Sequence, residues 1–198
     1  MDLHFIGDQG YLAPLYLYSE DYSRREANMD AALLAKLGEA AGRAVTPVEA
    51  FDYVYGALHD GAYLARYAEL LKVDFPRVPY PRGGEDFEAQ RARGAYLRGL
   101  HLMEGAEQWE LESALRGEGE TVVEAPAWRD GRVYINEAQY FSHVRREVWE
   151  FYIGGYQPAQ KWLKDRRGER LGFDGVQMYR RVLHALGETE RLVNGGQV

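Results

Sequence analysis

The segment Asp74-Phe75-Pro76-Arg77-Val78-Pro79-Tyr80-Pro81-Arg82-Gly83-Gly84 constrains the folding of this chain more than any other stretch. Its prolines remove backbone donors and fix φ, and its paired glycines favour a turn, so regular structure cannot run through it. It is expected to be an extended, stiff connection that Phe75, Val78 and Tyr80 pin to a surface.

Helical patterns lie on both sides of it. Before it, Asn28 is placed to cap a helix running to about Glu39, with Met29, Leu33, Leu34 and Leu37 on one face and Gly38 and Gly42 at its end. Thr46-Pro47-Val48-Glu49 is a strong helix start: Thr46 caps, Pro47 takes the first position and Glu49 completes a capping box. Asp60 caps the next helix, with Tyr63, Leu64, Tyr67, Leu70 and Leu71 at helical spacing. After the connection, Glu85 to about Met103 reads as a long helix, weakened modestly by Gly94 and Gly99.

Strand signals are shorter. Gly10 to Tyr18 reads as a strand pushed to an edge or bulge by Pro14, and Ser19 to Arg25 as a polar loop. In the acidic stretch from Glu104 to Glu120, Leu111 and Leu115 fit a short helix. Thr121 to Glu124 reads as a strand, and Asp130-Gly131 between Ala127–Arg129 and Arg132–Ile135 is a strong hairpin signal. Asp174 is placed to cap a final helix to about Val193. No β-α-β alternation or internal repeat is present, so the expected class is α+β, a helical block with a small, mostly antiparallel sheet. No low-complexity linker divides it, which makes residues 1–198 a single compact domain with 1–9 and 194–198 peripheral.

The stretch Glu147 to Arg170 carries the most suggestive chemistry. Val148 to Ile153 is an aromatic and β-branched run suited to a strand, Gly154-Gly155 allows a sharp turn, and Pro158 opens a helix bearing Lys161, Trp162, Lys164, Arg166 and Arg167. Strand, turn and basic helix would suit approach to a polyanion, and a scaffold strand followed by a solvated basic helix has the same pattern. The net charge of −7 argues against a non-specific, charge-driven nucleic-acid binder. From His143 to Arg181, however, nine Lys and Arg face five Asp and Glu, so an acidic chain can still present one basic face.

Other chemistries find little support. The 46% hydrophobic content predicts a packed globule, and no apolar run approaches the ~20 residues that span a bilayer. There are no cysteines, hence no disulfides or thiolate metal sites, which fits a cytoplasmic protein. Five scattered histidines (4, 59, 101, 143 and 184) provide no metal-ligand spacing beyond His101 with Glu104. Nucleophile elbow, phosphate loop and dinucleotide fingerprint are all missing, and the carboxylates between Glu104 and Glu124 read as a solvated face. No catalytic activity, cofactor or metal is expected from these residues.

Several stretches, taken in order, resemble a known series. They are Pro14-Leu-Tyr-Leu-Tyr18; Thr46-Pro47 with Phe51-Asp-Tyr-Val-Tyr-Gly-Ala-Leu-His59; Tyr63 with Arg66-Tyr67; Leu71-Lys-Val-Asp-Phe-Pro-Arg-Val-Pro-Tyr-Pro81; Val148-Trp-Glu-Phe151 with Ile153-Gly-Gly-Tyr-Gln157; and Lys161-Trp-Leu-Lys-Asp-Arg166. From about Gly10 to Leu192 the chain resembles the C-terminal specificity region of Type ISP restriction-modification enzymes and related adenine-specific DNA methyltransferases. In such enzymes a nuclease, a helicase-like ATPase and an S-adenosylmethionine-dependent methyltransferase precede this region. The resemblance implies a non-catalytic target-recognition domain that positions double-stranded DNA for methyltransferase and helicase domains, or a separate subunit, absent from this chain. No Pro-Pro-aromatic methyltransferase motif is present, so the chain would be an excised domain, a split subunit or a gene remnant. An interaction subunit docking a separate methyltransferase is the alternative. Lys161, Lys164, Arg166, Arg167 and Arg170 are the expected phosphate contacts, and Gln157 and Gln160 the candidates for reading adenine edges. Tyr152, Tyr156 and Trp162 are either core or contact residues, and the Arg116 to Arg132 region with its hairpin is another candidate reader.

Overall fold

The computed structural model describes residues 4–6, 10–153, 155–196 and 198, with residues 4–6 and 10–12 described by their backbone alone. Two compact units divide near the end of one long helix, the first built from residues up to Arg98 and the second from residues 99–196. Both mix helices with small antiparallel sheets, as the α+β expectation requires.

The first unit begins with two antiparallel pairs, β1 (His4–Ile6) with β2 (Gly10–Leu12) and β3 (Tyr16–Tyr18) with β4 (Arg25–Ala27). The expected single strand over Gly10–Tyr18 is therefore broken at Pro14, which lacks an amide donor, and part of the polar loop pairs back as β4. Asn28 does not cap the next helix. Its amide donates to the Pro14 carbonyl at 3.0 Å, and Asp30 caps α1 (Ala31–Ala41) by accepting from the amides of Ala32 and Leu33. The helix ends at Gly42, whose φ of +74° is the left-handed conformation glycine adopts without strain.

The reciprocal Thr46–Glu49 capping box forms at the start of α2 (Pro47–Leu58), and Asp60 caps α3 (Gly61–Tyr67). α3 is shorter than its spacing predicted: Leu70–Lys72 forms a separate turn of 3-10 helix. The proline-rich connection is irregular, as expected, and leads into α4 (Gly84–His101). Gly94 is less a weak point than a point of contact. A β-carbon there would lie 1.7 Å from the Asp52 carbonyl oxygen, and one on Gly56 would lie 2.1 Å from that of Gln90, so the two backbones meet where side chains are missing. Beside this crossing the Arg98 guanidinium grips the buried Asp52 carboxylate through Nε at 2.7 Å and Nη2 at 3.3 Å. Leu37, Ala41, Ala50, Tyr53 and Phe87 form the core of this unit.

The second unit is a four-stranded antiparallel sheet backed by helices. Its strands are β5 (Leu115–Arg116), β6 (Ala127–Arg129), β7 (Arg132–Tyr134) and β8 (Tyr140–Phe141), in the order β5-β8-β7-β6. Asp130-Gly131 makes the anticipated hairpin, with both residues at positive φ. Leu115 belongs to β5 and not to the expected helix; the only helical turn in this acidic stretch is Ala106–Gln108. Thr121 to Glu124 is not a strand either. It meets the chain near Arg170 through one bridge, Val122 with Arg170, flanked by bonds from Gly168 to Val123 and from Leu171 to Thr121.

Three helices follow: α5 (Arg146–Glu150), α6 (Pro158–Lys164) and α7 (Phe173–Val193). α5 overturns the strand expected over Val148–Ile153. Val148 and Trp149 are neighbours and both are buried, whereas Glu147 and Glu150 are exposed. Alternating strand faces cannot bury two neighbours on one side, and one helical turn can. The turn is also closed by Arg146 and Glu150 at 2.9 Å. Asp174 lies in the first turn of α7, and Gly172 occupies the cap position. At the centre of the core, fully buried Tyr179 packs edge-on against Phe141 and donates its hydroxyl to the Ala159 carbonyl at 3.1 Å. Burial pushes this phenol well above its usual pKa, which keeps the donor in place.

Candidate functional site

The stretch after α5 builds a concave surface of the second unit that carries two lysines. Phe151 leaves the helix in an extended conformation, and Ile153 pairs antiparallel with Tyr156. Gly154 of the expected Gly-Gly turn lies outside the described residues. Pro158 then starts α6 at its first position. Together these elements surround a depression of about 350 Å³ lined by Tyr152, Tyr156, Gln157, Gln160, Lys161 and Lys164, with Asp165 at its edge. Tyr152 and Tyr156 are 63% and 52% exposed, which settles them as surface and not core. Trp162 is half-buried against Tyr179, with ring centroids 5.0 Å apart.

Most polar residues expected to contact a ligand have partners within the chain. Gln157 donates its amide to the Glu150 carbonyl at 3.2 Å, and Gln160 donates to the Trp149 carbonyl at 3.2 Å. Both thereby satisfy carbonyls at the C-terminal end of α5. The side-chain oxygen of Gln160 accepts from the Lys164 ammonium at 3.1 Å. Lys161 is paired with Asp165 at 2.7 Å, one helical turn away. Arg166 donates to the Trp162 carbonyl and lies 3.7 Å above the centre of that indole ring. Arg167 and Arg170 are exposed, with no carboxylate within ion-pair distance among the described residues. The structure thus brings Gln157, Gln160, Lys161 and Lys164 to one depression, whereas Arg166, Arg167 and Arg170 follow the end of α6.

A larger cavity of about 660 Å³ lies in the same unit, lined in part by Glu110, His143, Arg145, His184 and Glu190. Within it Arg145 pairs with Glu190 at 2.6 Å, and His184 lies against Trp109. His143 Nδ1 lies 3.0 Å from the Ser142 hydroxyl, which itself donates to the Ala114 carbonyl. That arrangement fixes a strained turn, with His143 at a φ of +56°, and orients no nucleophile. Among the described residues no cluster of three potential metal ligands occurs, and no helix is long and apolar enough to cross a membrane.

A family model described as the Type ISP C-terminal specificity domain matches residues 1–195. A search of curated proteins finds no match. Among solved structures, the fold is similar to a region of the DrdV–DNA complex, with a TM-score of 0.75 at 20% identity, covering 93% of this chain and 21% of that one. It is also similar to part of LlaBIII, an ATP-dependent Type ISP restriction-modification enzyme bound to DNA, with a TM-score of 0.68 at 18% identity over 91% of this chain and 13% of that one. A nuclease-deletion mutant of the Type ISP enzyme LlaGI with a DNA substrate mimic gives a TM-score of 0.58 at 19% identity, covering 77% of this chain and 14% of that one. The chain therefore spans about a fifth or less of the length of these proteins.

Proposed function

The chain belongs to the Type ISP C-terminal specificity domain family, and on that premise we propose that it is a DNA target-recognition module of a restriction-modification system. Its two units act as one recognition domain that positions duplex DNA, and adenine methylation and translocation are carried out by other domains or a partner subunit. The observation that carries this reading is the family match over residues 1–195. The solved structures of similar fold add support, because they are DNA complexes.

The depression beside α6 fits a contact with the phosphate backbone. Lys161 and Lys164 reach a phosphate by exchanging weak intramolecular partners, because an exposed helical ion pair such as Lys161–Asp165 contributes only about 0.3–0.5 kcal/mol. Arg167 and Arg170 extend the same positive run. Arg166, held on Trp162, contributes field more than reach. Gln157 and Gln160 read base edges only if their amides leave α5, at a cost of about 1 kcal/mol for each hydrogen bond.

The test is selection from a random duplex library at moderate salt, with the chain alone and together with a methyltransferase partner. A shared sequence preference is expected in the presence of the partner. The reading is rejected if neither sample prefers any sequence.

A further inference from the structure

The sheet of the second unit has two faces of opposite character. Side chains alternate along a strand, so the register assigns every residue to a face. Leu115, Trp128, Val133 and Phe141 lie on the face that packs into the core. The other face carries Arg116, Arg129, Arg132, Tyr134 and Tyr140, because Arg116 pairs with Tyr140, Tyr140 with Tyr134, and Arg129 with Arg132. The three arginines are exposed and the two tyrosines half-exposed.

Two of the arginines lie over tyrosine rings. The Arg132 guanidinium lies 4.8 Å from the centre of the Tyr140 ring, and that of Arg129 lies 5.2 Å from the Tyr134 ring. The two rings in turn lie 5.1 Å apart. A guanidinium resting on an aromatic face has already lost most of its freedom and still presents edge donors to a ligand.

The charge arrangement is the more telling feature. Arg129 and Arg132 stand directly opposite each other in the hairpin, a placement in which like charges oppose strand pairing. Among the described residues no carboxylate lies within ion-pair distance of Arg116, Arg129 or Arg132; Arg132 shares a hydrogen bond with the Tyr134 hydroxyl and feels the Asp130 carboxylate beyond ion-pair distance. Elsewhere in this acidic chain arginines are commonly paired, as Arg43, Arg93, Arg98 and Arg145 show. The loops flanking these strands are closely packed and hydrogen-bonded. Gly117, at a φ of +93°, leaves no room for a β-carbon against the Ala138 carbonyl. Asn136 accepts from the amides of Ala138 and Gln139 and donates to the Glu120 and Val122 carbonyls.

We propose that this arginine–tyrosine face is a phosphodiester-binding surface that grips the backbone of duplex DNA. The inference rests on the DNA-recognition reading and assigns a specific surface to it. A bound phosphate relieves the Arg129–Arg132 repulsion, and the planar donors of the guanidinium match its oxygens. Such contacts position the duplex and do not read its sequence.

The test uses the full 198-residue chain and fluorescently labelled duplexes of several sequences, titrated by anisotropy across a salt series. R129Q/R132Q is expected to lose about tenfold or more in affinity for every sequence, and the slope of log K against log salt should fall by roughly 1.8, about 0.9 per lost phosphate contact. K161Q/K164Q serves as the comparison. Thermal midpoints without DNA check folding, and R132Q alone carries the test if the double variant melts early. If R129Q/R132Q binds like wild type while wild type binds well, the surface assignment is wrong and the DNA reading stands. A loss confined to particular bases overturns the phosphate assignment. Failure of wild type to bind any duplex at low salt overturns the surface assignment, and the DNA-recognition reading is then decided by the selection with the methyltransferase partner.

Discussion

The second unit carries two basic surfaces, and they differ in how their charge is held. Around α6 the cations are numerous, and most are engaged at home: Lys161 with Asp165, Lys164 with Gln160, Arg166 with Trp162. On the outer face of the sheet there are only three, and they are unpaired and partly opposed to one another. The lesson is that counting charges along a sequence does not show which of them already have partners. An ion-paired lysine must give up a partner before it contacts phosphate, whereas the proposed phosphate contact would relieve the opposition of Arg129 and Arg132.

Five variants and one titration break or sharpen this contrast. The largest expected effect is on stability. W162A removes the ring beneath Arg166 and the contact with Tyr179, and is expected to cost about 2 to 3 kcal/mol in denaturant unfolding, with DNA affinity preserved below the transition. If affinity collapses in the folded variant, Arg166 is a contact residue and the α6 surface gains rank. Next comes the tenfold loss expected for R129Q/R132Q, about 1.4 kcal/mol, against a twofold to fivefold loss, roughly 0.4–1 kcal/mol, for K161Q/K164Q. Equal losses would erase the distinction between the two surfaces.

Q160A leaves the Trp149 carbonyl without its donor and is expected to lower stability by about 1 kcal/mol, with sequence preference intact. A changed preference at adenine positions would instead make Gln160 a reader. D165N releases Lys161 and is expected to strengthen duplex binding about twofold, roughly 0.4 kcal/mol; no change would mean that Lys161 does not touch DNA.

The smallest effect concerns pH. Arginines stay charged throughout the accessible range, so binding through the sheet face should be flat from about pH 5 to 9. The resolved carboxylate shifts lie in the other unit. The Arg43 guanidinium, with help from the Thr46 amide, holds the Glu49 carboxyl down from 4.5 to about 2, and Arg43 likewise lowers Glu88. Because the folded pKa is depressed, the stabilisation from Glu49 is fully present above about 4.5 and fades as pH falls towards 2. Circular dichroism should therefore register acid loss below that value, and a loss of DNA binding between pH 5 and 9 would point to titrating groups outside the arginine face.

Much of the fold was legible because its signals are local. Thr46, Pro47 and Glu49 specify a helix start within four residues, Asp60 does so alone, and Asp130-Gly131 makes a hairpin between flanking strand residues. The family motifs from Pro14 to Arg166 are likewise runs of neighbouring residues. Local reading failed where burial outweighed propensity. Val148-Trp149-Glu150-Phe151 has strand-like composition, yet burying both Val148 and Trp149 on one side required a helical turn. Asp30 took the cap from Asn28 because Asn28 was drawn to a carbonyl fourteen residues away.

The sequence by itself determined the α+β class, the main helix starts, the hairpin and the family. Tertiary structure alone decided which charges are available. No spacing rule predicts that Gln157 and Gln160 turn back to cap α5, or that Arg166 settles on Trp162. Nor does the sequence place Arg116 beside Tyr140, because that neighbour arises from β5 pairing with β8 across an intervening hairpin. Caps and turns are fixed by neighbours along the chain, whereas the pairing of a charge depends on whatever the fold brings within a few ångströms of it.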